Sequence, residues 1–230
     1  MCFSPGADVV VGGIVVAIGA DALRHVRAPK QIPIASLPVL FGLHQLDEAF
    51  VWWGLQGRVS SSIGRVSIWI YLLFALAALP ALVPVAVLAI ERSEVRRRVI
   101  FAFSVLGIAV GVALGTAMFR GSVNAVIEPH HIAYNVSALR QGGAITRLYI
   151  LAVCGALILC SYRDIAVLGL VNLVAVPVLL WLTVGGFISL WCLWAAIVSV
   201  VIDVHLRRRA RHTGRIRLAQ SRTTSCANVT

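Results

Sequence analysis

Three side chains in one short stretch could take part in acid–base or metal chemistry. His44, Asp47 and Glu48 are separated by three and four residues from the histidine. In a helix, these spacings place all three on one face. An imidazole beside two carboxylates can hold a divalent cation or pass a proton between groups. Glu48 and Asp47 are therefore the candidate catalytic residues, and His44 and Glu48 are candidate metal ligands.

More candidate ligands lie far away in the sequence. His130 and His131 follow Pro129 between the fourth and fifth apolar stretches, and Cys2 stands next to the initiating methionine. If these segments lie on the same side of the protein as Glu48, the side chains can meet in one site. Imidazole and carboxylate ligands together suit zinc, iron or manganese. The predicted metal ligands are His44, Glu48, His130 and His131, and an open coordination position there could activate water for hydrolysis.

The surrounding sequence is far too apolar for a water-soluble domain. Hydrophobic residues make up 60% of the 230 residues, charged residues only 13%, and the mean hydropathy is +0.92. A soluble domain carries about twice that share of charge. We therefore expect an all-α integral membrane bundle, since a helix of about 20 apolar residues crosses a bilayer. Seven segments qualify: Ala7–Leu23, Ile32–Leu55, Ser67–Ile90, Val99–Phe119, Arg147–Tyr162, Ile165–Leu182 and Gly185–His205.

The distribution of basic residues predicts the orientation of these seven segments. With seven transmembrane helices, 15 of the 20 Lys and Arg residues fall on one side and 5 on the other. Short cytoplasmic loops collect Lys and Arg, so we expect the N-terminus outside and the C-terminus in the cytoplasm of a plasma-membrane protein. The alternative joins the last two segments into one broken element and gives six spans. Residues 1–206 would form the transmembrane domain, and residues 207–230 a basic, disordered cytoplasmic tail.

The expected membrane setting gives the acids of the second segment three possible roles. A charged side chain at the centre of a bilayer costs about 2.5–3.5 kcal/mol on insertion scales, so the face with Asp47 and Glu48 must avoid lipid. It could form a metal-dependent, hydrolase-like site that opens to the outer face. That is the leading interpretation, and the alternatives are a proton- or ion-coupled transporter and a non-catalytic membrane subunit in which this face only packs.

The tail and one glycine row indicate possible partners. Six of the eleven residues from Arg207 to Arg217 are arginines, which could touch anionic lipid headgroups. No aromatic interleaving or folded module accompanies the run, so nucleic-acid binding is not expected. Gly107, Gly111 and Gly115 recur every four residues, a spacing that favours close helix packing within one chain over a homo-oligomer seam. A partner in a membrane complex also remains open.

Several motifs resemble one family of proteins. The chain opens with Met-Cys-Phe-Ser-Pro, and the second segment contains Phe-Gly-Leu-His-Gln-Leu-Asp-Glu-Ala-Phe-Val-Trp-Trp-Gly-Leu. Together with the later His-His-Ile-Ala-Tyr segment, these stretches look like an uncharacterised family of bacterial multi-pass membrane proteins that begin with Met-Cys-Phe-Ser. The resemblance covers most of residues 1–206, and the matching positions are Gln45, Glu48, Trp52 and His131. It implies membership of the family and no particular mechanism.

Overall fold

The computed structural model describes residues 4–128, 131–137, 143–182 and 194–210. These residues form seven long helices, one short 3-10 helix (Pro29–Gln31) and one two-stranded hairpin. The helices are α1 (Pro5–Arg24), α2 (Ile32–Leu55), α3 (Ser61–Ile90), α4 (Glu94–Arg120), α5 (Gly143–Ile158), α6 (Arg163–Leu182) and α7 (194–210). The strands β1 (Val123–Glu128) and β2 (His131–Val136) lie between α4 and α5 and pair antiparallel, with Val123 opposite Val136.

The helical class expected from the composition is confirmed, and the helices follow the predicted apolar segments closely. The hairpin is a difference, because the all-α prediction placed no strands between the fourth and fifth stretches. Residues 207–210, assigned to the tail on sequence grounds, continue α7. The junction of the last two predicted segments lies in 183–193, outside the described residues.

Among the described residues, three helices are long and apolar enough to cross a membrane, namely α1, α3 and α4, and α5 is a shorter apolar helix. The exposed surface of α4 supports this, because Phe101, Val105, Ile108 and Val112 all point outward from the bundle. Their spacing of three and four residues forms one apolar stripe. An outward stripe of large hydrophobic side chains is expected where the surrounding solvent is lipid.

Helix α3 is interrupted by a π-helical segment, Leu73–Ala78, just before Pro80. Proline lacks a backbone N–H, so the regular hydrogen-bond pattern fails in the turn before it. The hydroxyl of Tyr149 on α5 donates to the carbonyl oxygen of Ala75, at 2.9 Å, and so uses one oxygen of the disturbed segment. The glycine row of α4 packs here, because a Cβ at Gly107 would overlap the Pro80 carbonyl. The expected packing of that row within one chain is confirmed.

The bundle has two chemically different ends. At the arginine end, α1, α3, α5 and α7 finish and α2, α4 and α6 begin. Arg207 of α7 there contacts Asp21 of α1, and Ser161 contacts Glu91. At the hairpin end, side chains of α2, α3, α4 and the hairpin are buried together: Val51, Trp52, Tyr71, Leu72, Met118, Ile132 and Val136. The candidate residues of the second helix belong to the hairpin end.

Candidate functional site

Two acidic side chains are fully buried at the hairpin end, Asp8 on α1 and Glu48 on α2, each with 0% exposure. The two helices approach closely through glycines. A Cβ on Gly12 would lie 2.9 Å from Leu46 Cγ and 3.1 Å from the Gly42 carbonyl oxygen. The helices run antiparallel, so the turn of α1 before Gly12, which holds Asp8, lies level with the turn of α2 that holds Glu48. Both carboxyl groups are enclosed in the bundle.

His44 lies in a group of aromatic rings and is 8% exposed. Its imidazole stacks on Tyr71 of α3, with ring centroids 4.0 Å apart and an angle of 14° between the planes, and it lies 4.7 Å from the ring of Phe74. Tyr71 in turn stacks on Tyr134 of β2 at 4.9 Å and 12°. The hairpin therefore reaches the neighbourhood of His44 through Tyr134. His44 Nδ1 is buried and has no hydrogen-bond partner among the described residues.

Asp47 occupies a different environment from Glu48, although the two are adjacent. Its side chain is half-buried and accepts a hydrogen bond from the side chain of Ser67 on α3. Ser67 is itself buried. Asp47 thus joins α2 to α3, whereas the side chain of Glu48 is fully enclosed in the bundle. The sequence placed His44, Asp47 and Glu48 on one face, and the structure gives the two acids different environments, half-buried for Asp47 and fully buried for Glu48.

The structure describes only part of one of the remaining predicted ligands. His130 and Cys2 lie outside the described residues. For His131 the structure describes the backbone, which opens β2 opposite Glu128 at the end of the ladder farthest from Ser122. Within the described part of the chain, His44, Asp47 and Glu48 do not bring three ligand atoms within 4.8 Å of one another. A metal centre that includes His130 and His131 stays a prediction.

The interior between the two ends is mainly apolar. It contains a cavity of about 50 Å³, lined mostly by aliphatic and aromatic side chains. The Ser104 and Ser199 hydroxyls donate to carbonyl oxygens four residues earlier in their own helices. Asn172 accepts a hydrogen bond of 2.6 Å from Trp194 Nε1. In the described residues, these buried polar groups form no chain from the hairpin end to the arginine end.

The arginine end holds a charged group that sequence reasoning missed. Ligand atoms of Asp21, His25 and Asp203 all lie within 4.8 Å of one another, a spacing that could hold a metal ion. Arg207 bridges the two acids, with Nη2 2.9 Å from Asp21 Oδ2 and Nε 2.8 Å from Asp203 Oδ2. Hydrogen bonding and charge from Asp203 raise the pKa of Arg207 above its usual value. The available signal was two pairs at four-residue spacing, Asp21 with His25 and Asp203 with Arg207.

A second network at this end is built around Glu91, which follows α3. One carboxylate oxygen accepts hydrogen bonds from the backbone N–H groups of Arg92 and Ser93, at 2.7 and 2.8 Å. The Ser161 hydroxyl also donates to this oxygen, and the Ser161 backbone N–H donates to the other at 2.7 Å. Burial disfavours the charged form, but these hydrogen bonds outweigh it, so the pKa of Glu91 lies below its usual value. One carboxylate thereby ties the start of α4 to the loop before α6.

Comparison with known proteins gives one positive finding. No curated protein and no solved structure matches the chain. The sequence pattern of DUF6629, described as a family of unknown function, matches residues 1–217. That span holds both ends of the bundle and every predicted site residue. The resemblance to an uncharacterised family, drawn from the opening residues and the second helix, is confirmed in that form, and the chain belongs to the family of unknown function DUF6629.

Proposed function

We propose that this protein is a seven-span plasma-membrane protein that takes up protons at a buried site formed by Asp8, His44 and Glu48. The N-terminus would lie outside and the C-terminus in the cytoplasm. The observation that carries the proposal is the complete burial of two carboxyl groups on adjacent helices. Enclosed carboxyl groups in a membrane helix bundle are costly and commonly mark proton or ion pathways. Protons need no further ligand, whereas a metal would need more ligands than the described residues bring together.

The apolar interior favours proton-coupled transport or sensing over an open proton channel. No chain of buried polar groups links the hairpin end to the arginine end in the described part of the chain. A proton bound at Asp8 or Glu48 would therefore return to the same side unless the helices rearranged. We infer a proton-coupled transporter or sensor rather than an open channel, in agreement with the transporter alternative drawn from the sequence.

Infrared difference spectroscopy on the protein in lipid vesicles would test the proposal. A change of pH should produce a band from a buried, protonated carboxyl group that titrates, and Glu48→Gln or Asp8→Asn should remove or shift it. Glu94→Gln is the matched control, because Glu94 is an exposed acid with a side chain 78% accessible. A wild-type spectrum without such a band, together with unaltered spectra of both variants, would leave the acids with a packing role in a non-catalytic subunit.

A metal-dependent, hydrolase-like activity is the second candidate. It is favoured by the buried His44 Nδ1, which has no hydrogen-bond partner among the described residues, and by Tyr134, which brings the strand that begins at His131 against the His44 stack. Zinc, iron or manganese would then be held by His44, Glu48, His130 and His131, with Asp47 or Glu48 as base. Elemental analysis of the purified protein separates the candidates, since stoichiometric metal lost on His44→Ala and on Glu48→Gln would establish the metal centre.

The orientation and partners belong to the same proposal. The arginines of α7 and the tail would lie at the cytoplasmic surface, against anionic lipid headgroups rather than nucleic acid. A reporter fused after residue 230 should be active only in the cytoplasm, and one inserted after Arg58 only outside. The opposite pattern would reverse the orientation. Cross-linking in the membrane would show whether a second copy or another membrane protein packs against the exposed stripe of α4.

A further inference from the structure

We propose that Asp21, His25 and Asp203 form a binding site for a divalent transition-metal ion at the arginine end, and that Arg207 competes with the metal for the two carboxylates. This site is separate from the proposed proton site, which lies at the opposite end of the bundle. Two carboxylates and one imidazole suit zinc.

The distances between the three ligands are close to those around a bound ion. Their ligand atoms lie within 4.8 Å of one another, and His25 Nδ1 is 3.1 Å from Asp21 Oδ2. Ligands of one tetrahedral zinc ion lie about 3.3 Å apart, given metal–ligand bonds of about 2.0–2.1 Å. Asp21 lies in the last turn of α1, His25 follows directly after that helix, and Asp203 comes from α7. His25 Nδ1 also lies 2.8 Å from the backbone carbonyl oxygen of Asp21, so the imidazole would turn away from that oxygen to bind a metal. Side-chain movements of this size would complete the coordination with no change in the helices.

A buried oxygen at this site points independently to a ligand. Asp203 Oδ1 is buried and has no hydrogen-bond partner among the described residues, although Oδ2 of the same carboxylate contacts Arg207. The Asp203 side chain is only 7% exposed. A buried carboxylate oxygen without a hydrogen bond is costly, and a cation bound there would remove that cost. The side chains of Asp21 and His25 are each 30% exposed, which leaves a path from solvent.

Arg207 now occupies the position that the metal would take. Its guanidinium contacts one oxygen of Asp21 and one of Asp203, so a metal bound to those oxygens would displace it. The Arg207 side chain is 45% exposed and can turn towards solvent. The guanidinium and the metal are both positively charged and share the same two acids. Removing Arg207 should therefore strengthen metal binding, which is the opposite of what a structural support would do.

Arg208 provides the matched control for this effect. It is the next residue of α7, its side chain is 70% exposed, and it lies 3.9 Å from Asp164, which is not one of the three ligands. Replacing Arg208 removes the same charge from the same end of the bundle. A difference in zinc affinity between the Arg207 and Arg208 variants then reports direct competition for the carboxylates and not the loss of one positive charge near the site.

The experiment titrates zinc into the full chain in detergent micelles after chelator treatment, with binding followed by calorimetry. A Glu48→Gln background removes any metal bound at the hairpin end, so this site and the proposed proton site are tested separately. We expect Arg207→Gln to bind zinc at least about tenfold more tightly than the background protein, because a competing charge is removed. Arg208→Gln should change the affinity less than about threefold. His25→Ala should abolish binding at this site.

Thermal unfolding distinguishes a specific loss of zinc binding from a loss that is caused by misfolding. Zinc should raise the melting temperature of the background protein and of Arg207→Gln, and should leave that of His25→Ala unchanged. Asp203→Asn, which keeps the shape of the buried side chain, should behave like His25→Ala. Equal zinc affinities for the two arginine variants would overturn the proposal. So would full zinc binding by His25→Ala, or no zinc binding by a folded Arg207→Gln protein.

Discussion

Replacement of Glu91 by Gln tests how strongly the two loops of the arginine end are joined. The Glu91 carboxylate accepts hydrogen bonds from three backbone N–H groups and one hydroxyl. Hydrogen bonds to a charged acceptor stabilise by about 1 kcal/mol more than those to a neutral one. Counting only the three backbone donors, Glu91→Gln should lower the free energy of unfolding by about 3 kcal/mol. For a chain of this length, that corresponds to about 6–12 °C in melting temperature.

The pH dependence of this loss has a definite sign. The pKa of Glu91 is lower in the folded protein than its usual value of 4.5. The carboxylate therefore stabilises the folded state fully above pH 4.5, and this contribution is lost as the pH falls through the lower folded pKa. Glu91→Gln has no carboxyl group to titrate here. The difference in melting temperature between wild type and variant should be constant near neutral pH and should shrink below pH 4.5.

Thermal unfolding in one detergent, measured by tryptophan fluorescence across pH, is the assay. Glu94→Gln is the control, because Glu94 is three residues away, exposed, and paired only weakly with Arg97 at 3.9 Å in the described structure. The free energy of unfolding of Glu94→Gln should change by less than about 1 kcal/mol, so its melting temperature should stay close to that of wild type. The reasoning would be refuted if Glu91→Gln and Glu94→Gln had the same melting temperature. It would also be refuted if the melting-temperature difference between wild type and Glu91→Gln did not shrink at acid pH.

Two further substitutions test helix packing by the same assay. Gly107→Ala should destabilise the fold by about 2 kcal/mol or more, because the new methyl group overlaps the Pro80 carbonyl. Gly13→Ala is the control and should be neutral or slightly stabilising, because nothing lies within 4 Å of its new Cβ. Equal effects of the two would contradict the close approach of α3 and α4. Trp194→Phe should cost about 1–2 kcal/mol through the lost hydrogen bond to buried Asn172, and an unchanged melting temperature would show that this bond contributes nothing.

The helices could be predicted from the sequence because long apolar runs have few other folded solutions in a membrane. The second predicted segment, Ile32–Leu55, coincides with α2. The hairpin was missed, although Ile132, Tyr134 and Val136 alternate in the period of a strand. Such a short alternation between two long apolar segments is weak on its own. The register that joins it to Val123 becomes visible only in the structure.

The candidate site was partly predictable for a similar reason. Spacing within one helix determines a shared face, so the grouping of His44 and Glu48 could be inferred locally. Which neighbouring helix each side chain meets depends on how the helices rotate in the bundle, and spacing does not determine that. The pair of Asp21 with Arg207 shows the limit, since 186 positions separate the two residues. Each acid and each arginine there looked like an ordinary charge at a helix end.

The stack of His44, Tyr71 and Tyr134 has a kinetic consequence. The outermost of the three rings belongs to a short two-stranded ribbon, whereas the other two belong to long helices. If solvent reaches the imidazole from this side, the ribbon must first shift. Proton exchange at His44 would then be as fast as the ribbon opens, so substitutions in the two strands away from Tyr134 would alter the speed of proton uptake and release without altering the equilibrium affinity of the site.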